Sequence, residues 1–165
     1  MKRKIEFYEV QAQKQWWMRV LMIGINIPFL YGFVWQIIMG NSWGNNPMSD
    51  TELIILMLII ILFSILYLIS KLKTHINDEG IYIHYFPFLL KTKFYAWDDV
   101  ERAYIRSYKA IREYGGWGVR RKLKEKAIII SGNQGLQLEL KNGKKLLIGT
   151  QQSDEIEKEV ISKLK

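Results

Sequence analysis

The chain contains no cysteine and only two histidines among its 165 residues. The first absence excludes disulfides, thiolate metal sites and cysteine nucleophiles. The second leaves zinc short of ligands, because His75 and His84 stand outside any HExxH or comparable cluster and a zinc site takes about three or four groups. The two histidines fall in adjacent predicted strands, where His84 is expected as a residue at the sheet surface. There is no G-x-S-x-G, no phosphate-binding loop and no dinucleotide fingerprint. Asp98 and Asp99 are consecutive, so a strand would point them to opposite faces; they suit a turn with a local cap better than an acid–base pair. The sequence thus predicts no catalytic residues, no metal and no cofactor, and a protein that is not an enzyme.

Charge is missing where it matters most. The stretches "VLMIGINIPFLYGFVWQIIM" (20–39) and "LIILMLIIILFSILYLI" (53–69) carry no ionisable acid or base from the Asp, Glu, Lys, Arg set. A bilayer core takes roughly 20 apolar residues as a helix, so both lengths fit. A chain this small could not bury two such helices on all sides. We therefore expect a transmembrane helical hairpin over 20–70, with helices at about 20–39 and 53–70. Asn26 and Gln36 in the first run are expected to face the second helix, where each can find a hydrogen-bond partner. Pro28 is tolerated where neighbours satisfy the carbonyl it frees. The apolar stretch is longer than a signal core and no A-x-A-like site follows, so an uncleaved anchor is expected.

The connecting loop "GNSWGNNPMSDTE" lacks lysine and arginine altogether, whereas Lys2, Arg3, Lys4, Lys14 and Arg19 precede the first run and Lys71 and Lys73 follow the second. The positive-inside rule then places both termini in the cytoplasm of a bacterial inner membrane. Trp16 and Trp17 would lie at the inner interface and Trp43 near the outer one. The net charge of +8 has a use at that surface, where a basic residue facing anionic lipid is worth about 1 kcal/mol. Nucleic acid is not expected as a partner, because it would compete with the nearby lipid.

In the N-terminal segment, 1–19, Ile5, Tyr8, Ala12 and Trp16 share one helical face, which suggests an interfacial helix lying on the inner membrane surface or continuing into the span, or else a partly ordered tail. From Thr74 the pattern becomes that of short strands: "THI", "IYIHYF" ended by Pro87, "KFYAW", "ERAYIRSY", "KAIII", "LQLEL" and "KKLLIG". Ala103 and Ile105 alternate with Arg102, Tyr104 and Arg106, so one face of that strand is wet. Asn142-Gly143 marks a hairpin, and Leu136, Leu138 and Leu140 point into the core. "SDEIEKEVISKLK" closes the chain as a helix, with Ser153 as its cap, Asp154 and Glu155 at its positive end, and a stripe of Ile156, Val160, Ile161 and Leu164. Lys163 and Lys165 suit its other end. No low-complexity linker separates the second apolar run from the first strand.

Seven strands, four then three, closed by a C-terminal helix resemble the pleckstrin-homology (PH) fold. "NDEGIYIHYFPF", "AWDDVERAYI", "REYGGWGVR" and "GLQLELKNGKKLLIGTQQSDEI" carry the likeness, and the pairing with two membrane helices is similar to a small bacterial membrane family of unknown function. The resemblance implies an α+β membrane protein: a helical hairpin followed, over 71–165, by a cytoplasmic PH-like domain with a seven-stranded bent sheet or partly open barrel. It implies binding or scaffolding, with a protein partner or a second copy of the chain, and not catalysis. Many PH domains hold inositol phosphates in the loop between the first two strands. Here that loop is expected to be "NDEG", short and acidic, and its carboxylates would repel phosphates.

One stretch stands apart: "IREYGGWGVRRKLKEK", residues 111–126. It is no phosphate cradle, since a strand and not a helix N-terminus follows. Two readings stand side by side. In one, Gly115, Gly116 and Gly118 form a structural turn, supplying positive φ or close packing, and Trp117 buries its ring. In the other, Tyr114 and Trp117 sit at headgroup level while Arg112, Arg120, Arg121, Lys122 and Lys124 meet anionic lipid or an acidic partner.

Overall fold

The computed structural model describes residues 7–13 and 15–163, with backbone alone for 161–163. Lys2, Arg3, Lys4, Ile5, Lys14, Leu164 and Lys165 lie outside the described residues, as do the side chains of Ile161 and Lys163. In chain order the elements are β1 (Phe7–Ala12), α1 (Trp16–Phe33) running on into a π-helical turn (Val34–Ile38), and α2 (Asp50–Leu68). There follow β2 (Lys71–Ile76), β3 (Gly80–Phe86), β4 (Leu89–Ala96), a 3-10 turn (Trp97–Asp99), β5 (Val100–Ser107) and α3 (Ala110–Tyr114). The chain ends with β6 (Gly118–Arg121), β7 (Glu125–Ile129), β8 (Gln134–Leu140), β9 (Lys145–Thr150) and α4 (Ser153–Lys163). Residues 14–69 form one unit, and the segments on either side of them together form the other.

Both members of the helical unit are long and apolar enough to cross a membrane, at 23 residues for Trp16–Ile38 and 19 for Asp50–Leu68. Their outward surfaces stay apolar: Phe63 is 67 % exposed, and Ile23, Ile27, Leu58 and Leu62 are exposed with it. α2 starts at a capping box, in which the Ser49 hydroxyl accepts from the Glu52 N–H and the Glu52 carboxylate from the Ser49 N–H. Pro28 lies inside α1 without ending it. Asn26 reaches the second helix as its sequence position predicts, donating from Nδ2 to the Ser64 hydroxyl at 2.8 Å and to the Met22 carbonyl at 2.7 Å. Gln36 donates to the Met48 carbonyl and to Asp50 Oδ1, each at 2.8 Å, and so ties the connecting loop to the start of α2. Trp43 of that loop lies on Gly32, where a Cβ would come within 2.5 Å of the indole.

In the β unit, β1 replaces the expected N-terminal helix. Phe7, Glu9 and Gln11 are buried, alternating with exposed Tyr8 and Val10. Two of the three inward residues are polar and the outward ones are apolar, so hydropathy hides the two-residue period; the spacing of Tyr8, Ala12 and Trp16 suits a helix by coincidence. Residues 7–12 belong to the β unit and not to a separate interfacial segment.

The strands form a four-stranded sheet, β1-β2-β3-β4, and a five-stranded sheet, β5-β8-β9-β7-β6. The seven expected strands are present as β2–β5 and β7–β9, and β1 and β6 are added, so the arrangement is four and five rather than four and three. β7 pairs in parallel with β9, while β8 lies between β5 and β9. One core draws on both sheets and on α4: Leu72, Ile81, Ile83 and Tyr85 from the first, Leu136, Leu138 and Ile148 from the second, Ile156 and Val160 from the helix. Ser153 is the first residue of α4, and the carbonyl of Gln152 before it accepts the Ile156 N–H.

Strand register gives each sheet two distinct ends. In the first sheet the row Ala12–Lys71–Phe86 marks one end, with Leu89 opposite Tyr85. The chain leaves this sheet after Ala12 and returns at Lys71, so we call it the entry end. The row Phe7–Ile76–Ile81–Tyr95 marks the far end. There the β2–β3 turn is clasped by Trp97, whose Nε1 donates to the Asn77 carbonyl at 2.8 Å. From that end the 3-10 turn passes into β5. In the second sheet one end is the row Val100–Leu140 with Glu139–Lys145–Glu125, and the other is Ser107–Gln134–Thr150.

Candidate functional site

The stretch 111–126 folds as a one-turn helix, a glycine turn, a short edge strand and a second turn into β7. α3 stops at Gly115, whose φ of +70° is the left-handed conformation that glycine adopts without penalty. Gly116 and Gly118 also have positive φ, at 122° and 101°. Tyr114 is buried at 8 % exposure, in a cluster with Tyr108, Ala127, Ile129 and Leu147, and Trp117 packs half-buried against it. The Tyr114 hydroxyl accepts from Arg106 Nη2 at 2.7 Å.

Arg106, which the sequence placed only on the wet side of a strand, is the hub beneath this bend. Its guanidinium donates to Gln137 Oε1 at 2.9 Å and to Glu113 Oε2 at 2.8 Å. Glu113 Oε1 accepts the Lys109 N–H at 2.7 Å. That backbone bond, followed by the Arg106 hydrogen bond, holds the Glu113 carboxyl below its ordinary range. A carboxyl depressed in the folded state stabilises fully above its unfolded value and loses that contribution as pH falls through the folded one. Acidifying below about pH 4.3, the ordinary glutamate value, is thus expected to loosen α3. The check is the pH profile of the thermal midpoint, in which the Glu113→Gln chain should show a smaller acid drop than the wild type.

The basic candidates do not form one patch. Arg112 lines a shallow pocket with Ser107, Lys109 and Asn133. Arg121, Lys122 and Lys124 line a different groove, beyond the other end of β6. Four strand residues separate the two, about 13 Å of backbone. Arg120 is exposed on the strand between them, with Nη2 folded back towards Gly116. The Lys122 ammonium lies 5.4 Å from the centre of the Tyr114 ring.

The groove has a volume of about 380 Å³ and includes three lysines that the stretch itself did not predict: Lys126 on β7, and Lys144 and Lys145 at the β8–β9 hairpin. Tyr95, Leu140 and Leu146 also line it. Parallel pairing of Glu125 with Lys145 brings the two basic segments together, and the Lys145 N–H donates to the Lys124 carbonyl at 2.8 Å. Lys145 spends part of its charge on Glu139, at 2.8 Å. Burial, and after it the neighbouring Arg121 and Lys93, push the Lys126 ammonium below its ordinary value. An anion in the groove would relieve that repulsion. The visible sequence signal was "KNGKK" around the predicted hairpin; what was not visible is that β7 and β9 are neighbours.

The "NDEG" turn joins β2 to β3, the second and third strands of the chain, and the helical unit is what lies between the first two. His75 stacks on Tyr82 with ring centres 5.2 Å apart, and His84 stands opposite Lys73. Among the described residues, no three of His, Cys, Asp and Glu come together as a metal-binding group. Comparison with protein-family models and with curated proteins returns no match.

Proposed function

We propose that this chain is a membrane-anchored, non-catalytic interaction module with a PH-like β domain, which recruits or steadies an acidic protein segment at the cytoplasmic face of a bacterial inner membrane. The four-stranded sheet, the second sheet and the C-terminal helix over the core support the PH-like assignment, and the two long apolar helices support the anchor.

The observation that carries the partner assignment is the register of β4. Leu89 lies at the entry end, while Tyr95, which lines the basic groove, lies at the far end. Six residues of strand place them roughly 20 Å apart. The chain passes between the entry end and the two apolar helices through short connections, the second of them residues 69–70, a reach of about 10 Å. If a bilayer holds those helices, the chain connects them to the entry end, while Tyr95 and the groove stand at the opposite end of β4. Charges that distant from a lipid surface are screened over a Debye length of about 8 Å, so lysines gathered there serve a soluble anion better than a headgroup. The groove's mixture of cations with Tyr95 and leucine side chains suits a carboxylate-bearing peptide segment.

The test uses the full chain in nanodiscs of zwitterionic lipid and a fluorescent oligoglutamate peptide as the probe. Binding is expected at low ionic strength, weakening with salt, and falling about tenfold or more when Arg121→Glu and Lys144→Glu are combined, an effect of the size seen for paired interface charges. Arg112→Glu should leave it unchanged. Peptide binding that ignores the double reversal, or its absence at low salt, would overturn the reading. Quenching of a fluorophore at Lys124→Cys by nitroxide lipids would instead put this groove on the bilayer.

A further inference from the structure

The turns at the far end of the β unit are polar: Asn77, Asp78 and Glu79 between β2 and β3, and Lys141 to Lys144 between β8 and β9. The β3–β4 hairpin is the opposite. Its tip reads Phe86-Pro87-Phe88-Leu89-Leu90, and only Leu89 is buried. Phe86, Phe88 and Leu90 are 39 %, 55 % and 73 % exposed. Turns ordinarily carry glycine and small polar residues, and adjoining large apolar side chains left open on a surface mark a contact.

Register states where this tip lies. Phe86 is directly opposite Lys71, the first strand residue after α2, and Lys71 is opposite Ala12, the last before the chain turns towards α1. The apolar tip is at the entry end. Next to it, Lys71, Lys73 and Lys91 are all exposed. Large apolar side chains ringed by lysines compose the usual interfacial contact: the rings enter the headgroup–acyl boundary while the cations stay at the anionic surface.

We infer that the β3–β4 hairpin is a second membrane contact, inserting Phe86, Phe88 and Leu90 into the headgroup region of the leaflet that the two helices cross. The inference rests on the membrane reading of α1 and α2 but not on the basic groove or its partner. It assigns lipid contact to a segment other than the glycine-rich bend.

Because the natural chain has no cysteine, each introduced one is a unique labelling position. The full chain is placed in nanodiscs of mixed zwitterionic and anionic phospholipid, with a polarity-sensitive fluorophore at Phe88→Cys, at Asn142→Cys in the far-end hairpin, or at Leu62→Cys in α2. Lipids carrying a nitroxide near the headgroup or deep in the chain are the quenchers. The expected result is a blue-shifted label at residue 88, quenched by the shallow nitroxide, an unquenched label at 142, and a label at 62 quenched by the deep nitroxide. Quenching at 62 without quenching at 88 would overturn the hairpin assignment and leave the helices in the bilayer. A blue-shifted but unquenched label at 88 would mean that protein covers the tip, and would overturn the assignment equally. Absence of quenching at both 62 and 88 would remove the membrane reading together with this inference.

Discussion

Glu9→Ala is expected to destabilise the β unit by about 3 kcal/mol, the upper part of the range for a hydrogen bond to a charged group. Glu9 is 5 % exposed, and its carboxylate accepts from the Thr150 hydroxyl at 2.7 Å and from the Gln151 N–H at 2.8 Å. These bonds join the first strand of the chain to the end of the last, immediately before α4. Next to them, Gln11 Nε2 donates to the Gly149 carbonyl at 2.6 Å. Alanine would leave the buried Thr150 hydroxyl and the part-buried Gln151 N–H without their acceptor, and the cost of stranding a buried donor exceeds the net worth of the bond it made. Glu9→Gln retains one acceptor oxygen and should lose about half as much. The measurement is the urea midpoint of the full chain in detergent, with amide exchange along β1 to show that the loss begins there. Unchanged protection of β1 in Glu9→Ala would contradict the account.

Gly80→Ala should be comparably damaging for a different reason. A Cβ at this position would run into the Tyr95 carbonyl oxygen and come within 2.9 Å of Ala96 Cα. These are backbone atoms of the paired strand, so no rotamer change relieves the clash and the β3–β4 ladder must part. Overpacking costs typically about 1–3 kcal/mol, and the upper value applies where the neighbour cannot yield. The disturbance has a local reporter. Asn77 Oδ1 accepts the N–H of both Glu79 and Gly80, and the Asn77 carbonyl accepts the Trp97 indole. Loss of protection of the Trp97 indole proton is expected in Gly80→Ala, alongside a lowered denaturation midpoint. Since Tyr95 lines the groove, the same variant should also weaken oligoglutamate binding.

What the sequence made legible follows from where its apolar residues fall. β3 alternates in the ordinary sense, with Ile81, Ile83 and Tyr85 buried, and in β8 the expected Leu136, Leu138 and Leu140 are buried although Gln137 between them is buried too. β1 inverts the rule: it buries Glu9 and Gln11 and exposes Tyr8 and Val10, because its inner face meets hydrogen-bonding groups of β9 instead of aliphatic side chains. β6 escaped notice because an edge strand needs only one buried flank, and its Arg120-Arg121 pair resembles a solvated tail. Asn26 was legible, because an amide in an apolar helix has few places to go. The site was half legible. Its arginines and lysines stand out, but local sequence carries no sign that Gly118 to Arg121 forms an extended strand between Arg112 and the groove. Nor does it show that parallel pairing of β7 with β9 brings Lys126 and Lys145 to the same groove.

The place of the apolar helices in the chain, between β1 and β2, has a consequence for biogenesis. The ribosome delivers the first strand long before the strand that pairs with it, and on the proposed membrane reading the two helices made in between enter lipid. The edge strand must wait, unpaired, while the polypeptide goes across and comes back. Only an even number of passages returns the two strands to the same compartment. A copy that stalls halfway leaves β2 with a bare flank and Glu9 on the wrong side of the membrane, unable to reach Thr150. On that reading, completion of the β1–β2 pairing requires that insertion has succeeded.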